Sequence, residues 1–407
     1  MGPLDLHYNY KDILRTPRLA LSGKKIWILI VGNLLGYISY WILSYISLIL
    51  SGYSFKYSLN TYGLYPYLFG NNAEWLSWLI YYCGITIWIC FLLLSFTAIS
   101  RITLKQLKGN DFFAASDGWK YVTQHWQAII FSPIAVGLIA LFFIIFACLF
   151  ALISSVPYFG EIFFPIFYIV FFFGSLFTIY TFFVLIVSLI FTPSIVGTYE
   201  EDTMGTVFHS YSLTIGQPWR ILLYHIILFS LLIISIEIFT WFWFNSIGFI
   251  NYIFGSVWFM GSKLNNISFF ATSMVFPPWL IENIFAYKIL IHQWVGLSIS
   301  IPNIFPITHI VPETNLETIE VISGIILSIS YFLIGLSILS YCLSIISVGE
   351  TLMFIIFKKK SDDDDLLMRK DEDEINDEDF FDEIQDNSDF ENDENKDNTN
   401  NNDINED

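Results

Sequence analysis

The stretch PSIVGTYEEDTMGTVFHSYSLTIGQPWR, residues 193–220, decides the fold. It is a short polar island between two long apolar runs, 166–192 before it and 221–244 after it. Crossing the hydrocarbon core of a bilayer takes about 20 residues at 1.5 Å each, and both runs are long enough. A helix on a soluble protein keeps a polar face toward water, and neither run has one. The island is therefore expected at a membrane face, between a span that arrives and a span that leaves. Inside it, Asp202 is a candidate helix cap, and Met204, Val207, Phe208 and Tyr211 recur on one helical face. Gly216 and Pro218 end that helix, and Trp219-Arg220 anchors the next span at the water boundary. The pattern predicts an amphipathic helix lying in the membrane plane near 202–215.

Working outward, the same plan repeats. Apolar runs near 26–50, 75–100, 128–156 and 321–348 complete a set of six expected spans. Residues 1–25 form a basic lead-in, with a basic part too long for a cleavable signal peptide. Residues 51–74 are rich in Tyr, Gly and Asn and suit a headgroup layer. Between spans two and three, Phe112, Ala115, Trp119, Val122 and Trp126 recur at helical spacing, and Asn110 or Asp111 offers a cap. Lys105, Lys108 and Lys120 keep this segment out of the bilayer core, which predicts a second in-plane helix near 104–126. Spans three and four join through PYFGEIFFP, whose two prolines discourage a continuous helix. Residues 245–320 are aromatic but broken by Gly and Pro, and are expected as an external cap of short or re-entrant helices. The fold class expected is all-α: a polytopic helical membrane domain over 26–360 with a disordered tail over 361–407.

Charge is distributed unevenly. The formal net charge is −18. Residues 361–407 hold 22 acidic and 3 basic side chains, or −19, which leaves +1 for everything before them. Such a tail cannot bury enough apolar surface to fold alone. Leu366-Leu367-Met368 and Phe380-Phe381 are apolar beads in it, suited to docking on a basic cytoplasmic partner protein. No concentration of Lys and Arg is large enough to neutralise nucleic-acid phosphates, so membrane lipids and protein are the expected partners. With six spans, thirteen Lys and Arg fall on the N-terminal side and three (Lys56, Lys263 and Lys288) on the other. The positive-inside rule then puts both termini in the cytoplasm, with the chain in a cell membrane. Oligomeric state is not legible.

Ionisable side chains within apolar runs are costly and mark candidate sites. Glu237 is expected near the outer end of its span, beside Trp241 and Trp243, and His225 one turn in from the cytoplasmic end near Arg220. Glu350, near the inner face, is expected to pair with Arg101 or Arg220. An enzyme would bring at least two of His209, Glu200, Asp202 and Glu350 into hydrogen-bond reach. No HExxH, GxSxG or Walker-type loop occurs. The four cysteines and six histidines show no metal-ligand spacing, so neither cofactor nor metal nor catalytic residue is expected.

Two resemblances complete the reading. Phe96-Thr97 and Trp126-Gln127 bracket one connecting unit, Phe191-Thr192 and Trp219-Arg220 another, with Phe-to-Trp separations of 30 and 28 residues. This suggests a parallel pseudo-repeat of span, in-plane helix, span. Pro193, the acidic turn Glu200-Glu201-Asp202, Ser210 or Ser212, Trp219 and Arg220 resemble a pattern in the membrane domain attached to some glycerophosphodiester phosphodiesterases and in its stand-alone prokaryotic relatives. The tail stands where a phosphodiesterase domain would follow, so the resemblance implies a helical membrane domain without catalysis. The expected function is a non-catalytic integral membrane protein that organises lipids or partner proteins at the cytoplasmic face. The alternatives are a transporter or lipid carrier with a pathway between the pseudo-repeats, and then a membrane enzyme acting on lipid headgroups.

Overall fold

In hydrocarbon the backbone has no water to bond to, so each crossing segment must satisfy its own N–H and C=O groups, and the helix does this locally. The computed structural model of the protein describes residues 6–69, 73–282, 304–305 and 316–369, and the regular structure there is entirely helical. In chain order the helices are α1 (Tyr10–Ile13), α2 (Thr16–Ala20), α3 (Gly23–Leu50), α4 (Phe55–Tyr62), α5 (Trp75–Leu107) and α6 (Ala115–Ser154). They continue as α7 (Phe159–Tyr199), α8 (Thr203–Gly216), α9 (Pro218–Phe254), α10 (Ser262–Val275) and α11 (Thr318–Ser361). Six of these, α3, α5, α6, α7, α9 and α11, are long and apolar enough to cross a membrane. The protein is an all-α polytopic membrane protein.

Several helices outrun the spans expected from sequence. α6, α7 and α11 have 40, 41 and 44 residues. At 1.5 Å per residue, forty residues reach about 60 Å, twice the hydrocarbon thickness of roughly 30 Å. The excess gathers at one end. Ser344 Oγ donates to the Ala20 carbonyl just before α3 begins. From there α11 runs on to Ser361, and every residue from Ser347 to Lys358 is buried. Around it pack Ala98, Ile99, Ile102 and Leu104 of α5, Tyr121 and Val122 of α6, and Phe191, Ile195 and Val196 of α7. This is the main core. Further along, α6 and α7 expose Leu138, Phe142, Ile145, Ile169, Phe173 and Leu176, the surface of helices facing lipid rather than water.

Close approach of α3 and α5 depends on glycine. A Cβ on Gly32 would fall 1.9 Å from Ser95 Oγ, and one on Gly36 would fall 2.3 Å from Trp88 Cδ1. Gly84 on α5 accepts Tyr40 and Leu43 of α3 in the same way. Small residues four apart let backbones approach where no hydrophobic drive separates helix from lipid.

Five expectations are corrected here. Residues 104–126 do not form a separate in-plane helix: Leu104–Leu107 finishes α5, a turn follows with Gly109 at φ +94°, and Ala115 already begins α6. Nothing between 115 and 132 interrupts helical geometry, and the apolar stripe is divided: Val122 is buried and Ala115 and Trp119 pack against the core, while Phe112 and Trp126 are exposed. The 202–215 segment is a helix of its own, α8, so the two units proposed as a pseudo-repeat fold differently. Pro165 and Pro193 lie inside α7, and the chain turns at 155–158 instead. The tail is not wholly without structure, because its first residues fold back on the body. Leu366 is buried in the core and Leu367 packs against it. Of the region expected as an external cap, 245–254 extends α9 and α10 descends beside α11, with Asn266 bonded to Glu320 and Phe270 against Gly324. Its remainder, 283–303 and 306–315, and the tail beyond Arg369 lie outside the described residues.

Gly36→Val places a branched side chain against the Trp88 indole, and overpacking of this kind costs about 1–3 kcal/mol. The variant is expected to lower the midpoint of unfolding in detergent, whereas Gly174→Val, with nothing within 4 Å of its Cβ, is not.

Candidate functional site

Most of the ionisable residues singled out in the sequence converge on the buried end of the bundle. At its centre is Arg101, near the end of α5, with no solvent exposure. A guanidinium cannot shed its proton, so burial demands an anion and hydrogen bonds. Glu200 supplies the anion, with Oε1 2.5 Å from Arg101 Nη2. The Tyr121 ring lies under the guanidinium at 4.6 Å, a cation–π contact, while its hydroxyl donates to the Val196 carbonyl at 2.6 Å. Arg101 thus ties α5 to α6 and to the end of α7.

Glu200 holds an unusual backbone. It caps α7 in the left-handed region, φ 60° and ψ 29°, a conformation that costs a non-glycine residue roughly 1 kcal/mol. The ion pair holds it there, and the chain reverses into α8. Asp202 is the N-cap of α8, its Oδ1 accepting from the Gly205 N–H at 2.7 Å, as its position before the helix predicts. α8 then packs on α7: His209 meets the Tyr199 ring at 4.9 Å, while the carbonyl of Tyr211, two residues on, accepts from Tyr180 near the middle of α7. Val207 packs inward with Val136 and Val184, and Met204, Phe208 and Ile215 are exposed, so the expected one-sided stripe is divided between core and surroundings.

The tail closes this end. Tyr199 Oη donates to Asp364 at 2.9 Å, and Tyr8 Oη donates to Asp365 at 2.6 Å. The Arg369 guanidinium lies 4.2 Å from the Tyr199 ring, and Lys108 Nζ donates to the Arg369 carbonyl. Lys358 bonds Asp362 at 2.6 Å, which holds that carboxyl below the usual range. Burial pushes the Tyr8 phenol upward, and the Asp365 carboxylate adds to the effect. His209 is held below the ordinary imidazole range, first by burial and then by neighbouring Lys358, against the opposing pull of Glu201 at 3.4 Å. The sequence marks Glu201 only as part of the acidic turn, and gives no site signal for Tyr8, Tyr121, Tyr199 or Lys358. Tyrosines among so many aromatics carry no local mark.

The other candidates do not join this network as expected. Glu350 is buried but forms no ion pair with Arg101 or Arg220 among the described residues, and its Oε2 has no hydrogen-bond partner there. Arg101 is engaged by Glu200, and Arg220 is exposed and donates to Gln217 at 3.2 Å. Gln217 itself reaches the Phe357 carbonyl at 3.0 Å. Ser210 is buried and bonded within α8 to the Thr206 carbonyl, and Trp219 is exposed beside the start of α9. His225 Nδ1 lies 2.8 Å from the Ile221 carbonyl, so it carries the proton, and the ring meets Phe191 edge-on. Glu237 is not at the end of its helix, because α9 continues to Phe254, and it is half-buried.

Among the described residues His209 faces Glu201, Glu200 faces Arg101 and Asp202 caps a helix, while Glu350 Oε2 has no hydrogen-bond partner. The cleft between His209, Gln217, Phe357 and Asp362 measures about 10 Å³, room for one water at most. Among the described residues no group of three metal-ligating side chains occurs. What the arrangement does chemically is hold helix ends together. The chain matches no family model, no curated protein and no solved structure.

Two predictions follow from the charges. Glu200→Gln leaves the Arg101 guanidinium buried without that carboxylate, and stability in detergent is expected to fall by about 3 kcal/mol. Because His209 has a lower pKa folded than unfolded, its contribution is complete above about pH 6.5 and is lost as the pH falls through the folded value. The melting temperature is therefore expected to drop between about pH 7 and pH 5, and less so in His209→Gln.

Proposed function

We propose that this protein is a non-catalytic integral membrane protein that organises lipids and a basic protein partner at the face where its N-terminal segment and tail meet. The placement of Lys and Arg supports a cytoplasmic assignment of that face, and the resemblance to a prokaryotic family supports a prokaryotic-type cell membrane. One observation carries the reading: the root of the tail, Asp362–Arg369, is fastened to the body through Tyr8, Tyr199, Lys108 and the buried Leu366. The remaining residues, 370–407, hold 18 acidic and 2 basic side chains, so a strongly negative segment is tethered to a fixed point. A tethered chain of like charges attracts a basic surface over a distance set by salt screening. The solid packing of this end agrees with a scaffold, and so does the exposure of Met204, Phe208, Ile215 and Trp219, which offers lipid an anchoring row. The resemblance to stand-alone relatives of phosphodiesterase membrane domains supports the same class. The lipid-carrier alternative is favoured by aromatic cavities in the opposite half of the bundle, although they do not lie between the units read as a repeat.

Cross-linking in cells with the full chain and with a variant ending at Arg369 tests the scaffold. The shortened variant keeps the docked root and is expected to lose its basic partners. The full chain's contacts should weaken as salt rises from about 0.05 to 0.5 M. An identical set of partners from both chains would overturn the role of the tail.

A further inference from the structure

Away from the tail, the helices separate around two cavities. The larger, about 620 Å³, lies among α9, α10 and α11, and the smaller, about 460 Å³, among α3, α5, α11 and the segment 65–67; Phe276 and Gly335 line both. No Asp, Glu, Lys, Arg or His lines the smaller one among the described residues. Its wall is aromatic, with Tyr37 against Phe332 at 5.4 Å and Tyr40 against Trp88 at 5.4 Å. The hydroxyls of these tyrosines are engaged elsewhere. Tyr37 donates to the Leu64 carbonyl, Tyr40 to Pro66, and Tyr65 to Val275. They offer ring faces to the cavity.

Asn33 departs from that pattern. It lines the cavity and is 1% exposed. The Trp88 indole N–H donates to it at 3.4 Å, and since an indole can only donate, the atom it meets is the carboxamide oxygen. The Nδ2 group is left with two N–H donors and no partner among the described residues. A buried donor without an acceptor is destabilising, so the site is incomplete as a hydrophobic core and complete with an acceptor in it. Ten residues separate Gly23 from Asn33, roughly 15 Å along α3, or about half the hydrocarbon thickness.

We infer that the smaller cavity binds an uncharged lipid whose single acceptor oxygen, a carbonyl or a hydroxyl, takes a hydrogen bond from Asn33 Nδ2 while its apolar body lies among Tyr37, Tyr40, Trp88 and Phe332. Charge decides against the other classes. A carboxylate or phosphate at this depth would lose its hydration with no cation to meet it. A quaternary ammonium would gain from the ring faces but would meet the positive ends of the Asn33 N–H bonds. A glycerophospholipid keeps its headgroup at the surface and brings only hydrocarbon to the level of Asn33. The larger cavity lies on the other side of Phe276 and Gly335, which line both. This inference uses neither the tail nor the orientation, and so stands apart from the scaffold.

The test uses the full chain in nanodiscs with three photoreactive probes of similar size: a hydroxyl-bearing sterol, a ketone of the same ring system, and the oxygen-free hydrocarbon. Peptides carrying Trp88 and Phe332 are expected to be labelled by the two oxygen-bearing probes, and the stronger of the two identifies the oxygen. Asn33→Leu should weaken that labelling about fivefold and leave the hydrocarbon unchanged. Gly335→Leu, which adds bulk beside Phe276 without touching Asn33, should weaken all three and serves where Asn33→Leu does not fold. Labelling that stays on the lipid-facing surface of α6 and α7 and responds to neither variant would overturn the site. Equal loss of all three probes in Asn33→Leu would overturn the hydrogen bond.

Discussion

A helix buried on every side needs neighbours on every side, and α11 between Ser347 and Lys358 imposes that requirement on the rest of the molecule. In hydrocarbon there is no cost to exposing Ile or Phe, so nothing there forces helices to surround one another. Beyond the hydrocarbon the cost returns. The ends of α5, α6 and α7 run past the start of α3 and enclose α11, and the N-terminal segment covers it further through Tyr341 to Pro17 and Ser344 to Ala20. The hydroxyls between them act as spacers that also satisfy one another: Ser347 reaches the Phe96 carbonyl, and Thr351 reaches Ser100. Gly197 sits where a Cβ would fall 2.7 Å from Ser100, so α7 and α5 meet at backbone distance.

Arg101 follows from the same enclosure. Once that end of α5 is surrounded, a charge placed there must be met inside the protein. Glu200 does so by adopting a left-handed backbone, and the direction of α8 follows from that turn. Replacing the pair by apolar residues of equal volume would often stabilise such a core, so its presence is weak evidence for stability alone. Its specific contribution is geometric, since it fixes where α7 stops and α8 begins. The tail root is positioned by that choice as well, because Tyr199, one residue before Glu200, is the platform on which Asp364 and Arg369 settle.

How much of this was legible depends on which solvent wrote the signal. The six long helices were visible as apolar runs because lipid selects every exposed residue along them, and α8 was visible because Asp202, Gly216 and Pro218 punctuate it. Their ends were not visible. Where α7 and α11 leave hydrocarbon for a protein core, the sequence remains apolar and only the partner changes, so 193–199 and 349–361 read as a polar island and a stop rather than as helix. In the stripe from Phe112 to Trp126 the period marks helix but not partner, since core and interface demand the same spacing: Val122 is buried in the core while Phe112 and Trp126 are exposed. Arg101 and Glu200 each stand out in the sequence, but pairing across roughly a hundred residues leaves no local trace, so nothing in it favours Glu200 over Glu350 as the partner of Arg101. Gly32 and Gly36, four apart on α3, did carry a readable signal, the small-residue spacing of close helix packing.

The two halves of the bundle differ in what they leave unmet. At the tail end the cleft between α8 and α11 holds only about 10 Å³, and the Arg101–Glu200 and Lys358–Asp362 pairs meet at hydrogen-bond distance. In the other half the same helices diverge around aromatic rings whose hydroxyls are tied to the 63–66 segment and to α10, so the walls are fixed while the space between them stays open. Rings held by their polar ends cannot turn inward to fill a void, which is why an opening of about 460 Å³ persists beside them. A wall fixed in this way is pre-organised, and a guest entering it loses little to ordering the protein. The Gly32 and Gly36 contact that brings α3 against α5 also sets the Trp88 indole beside Asn33, so one packing solution both builds the bundle and leaves the buried Nδ2 of a cavity-lining residue without a partner among the described residues.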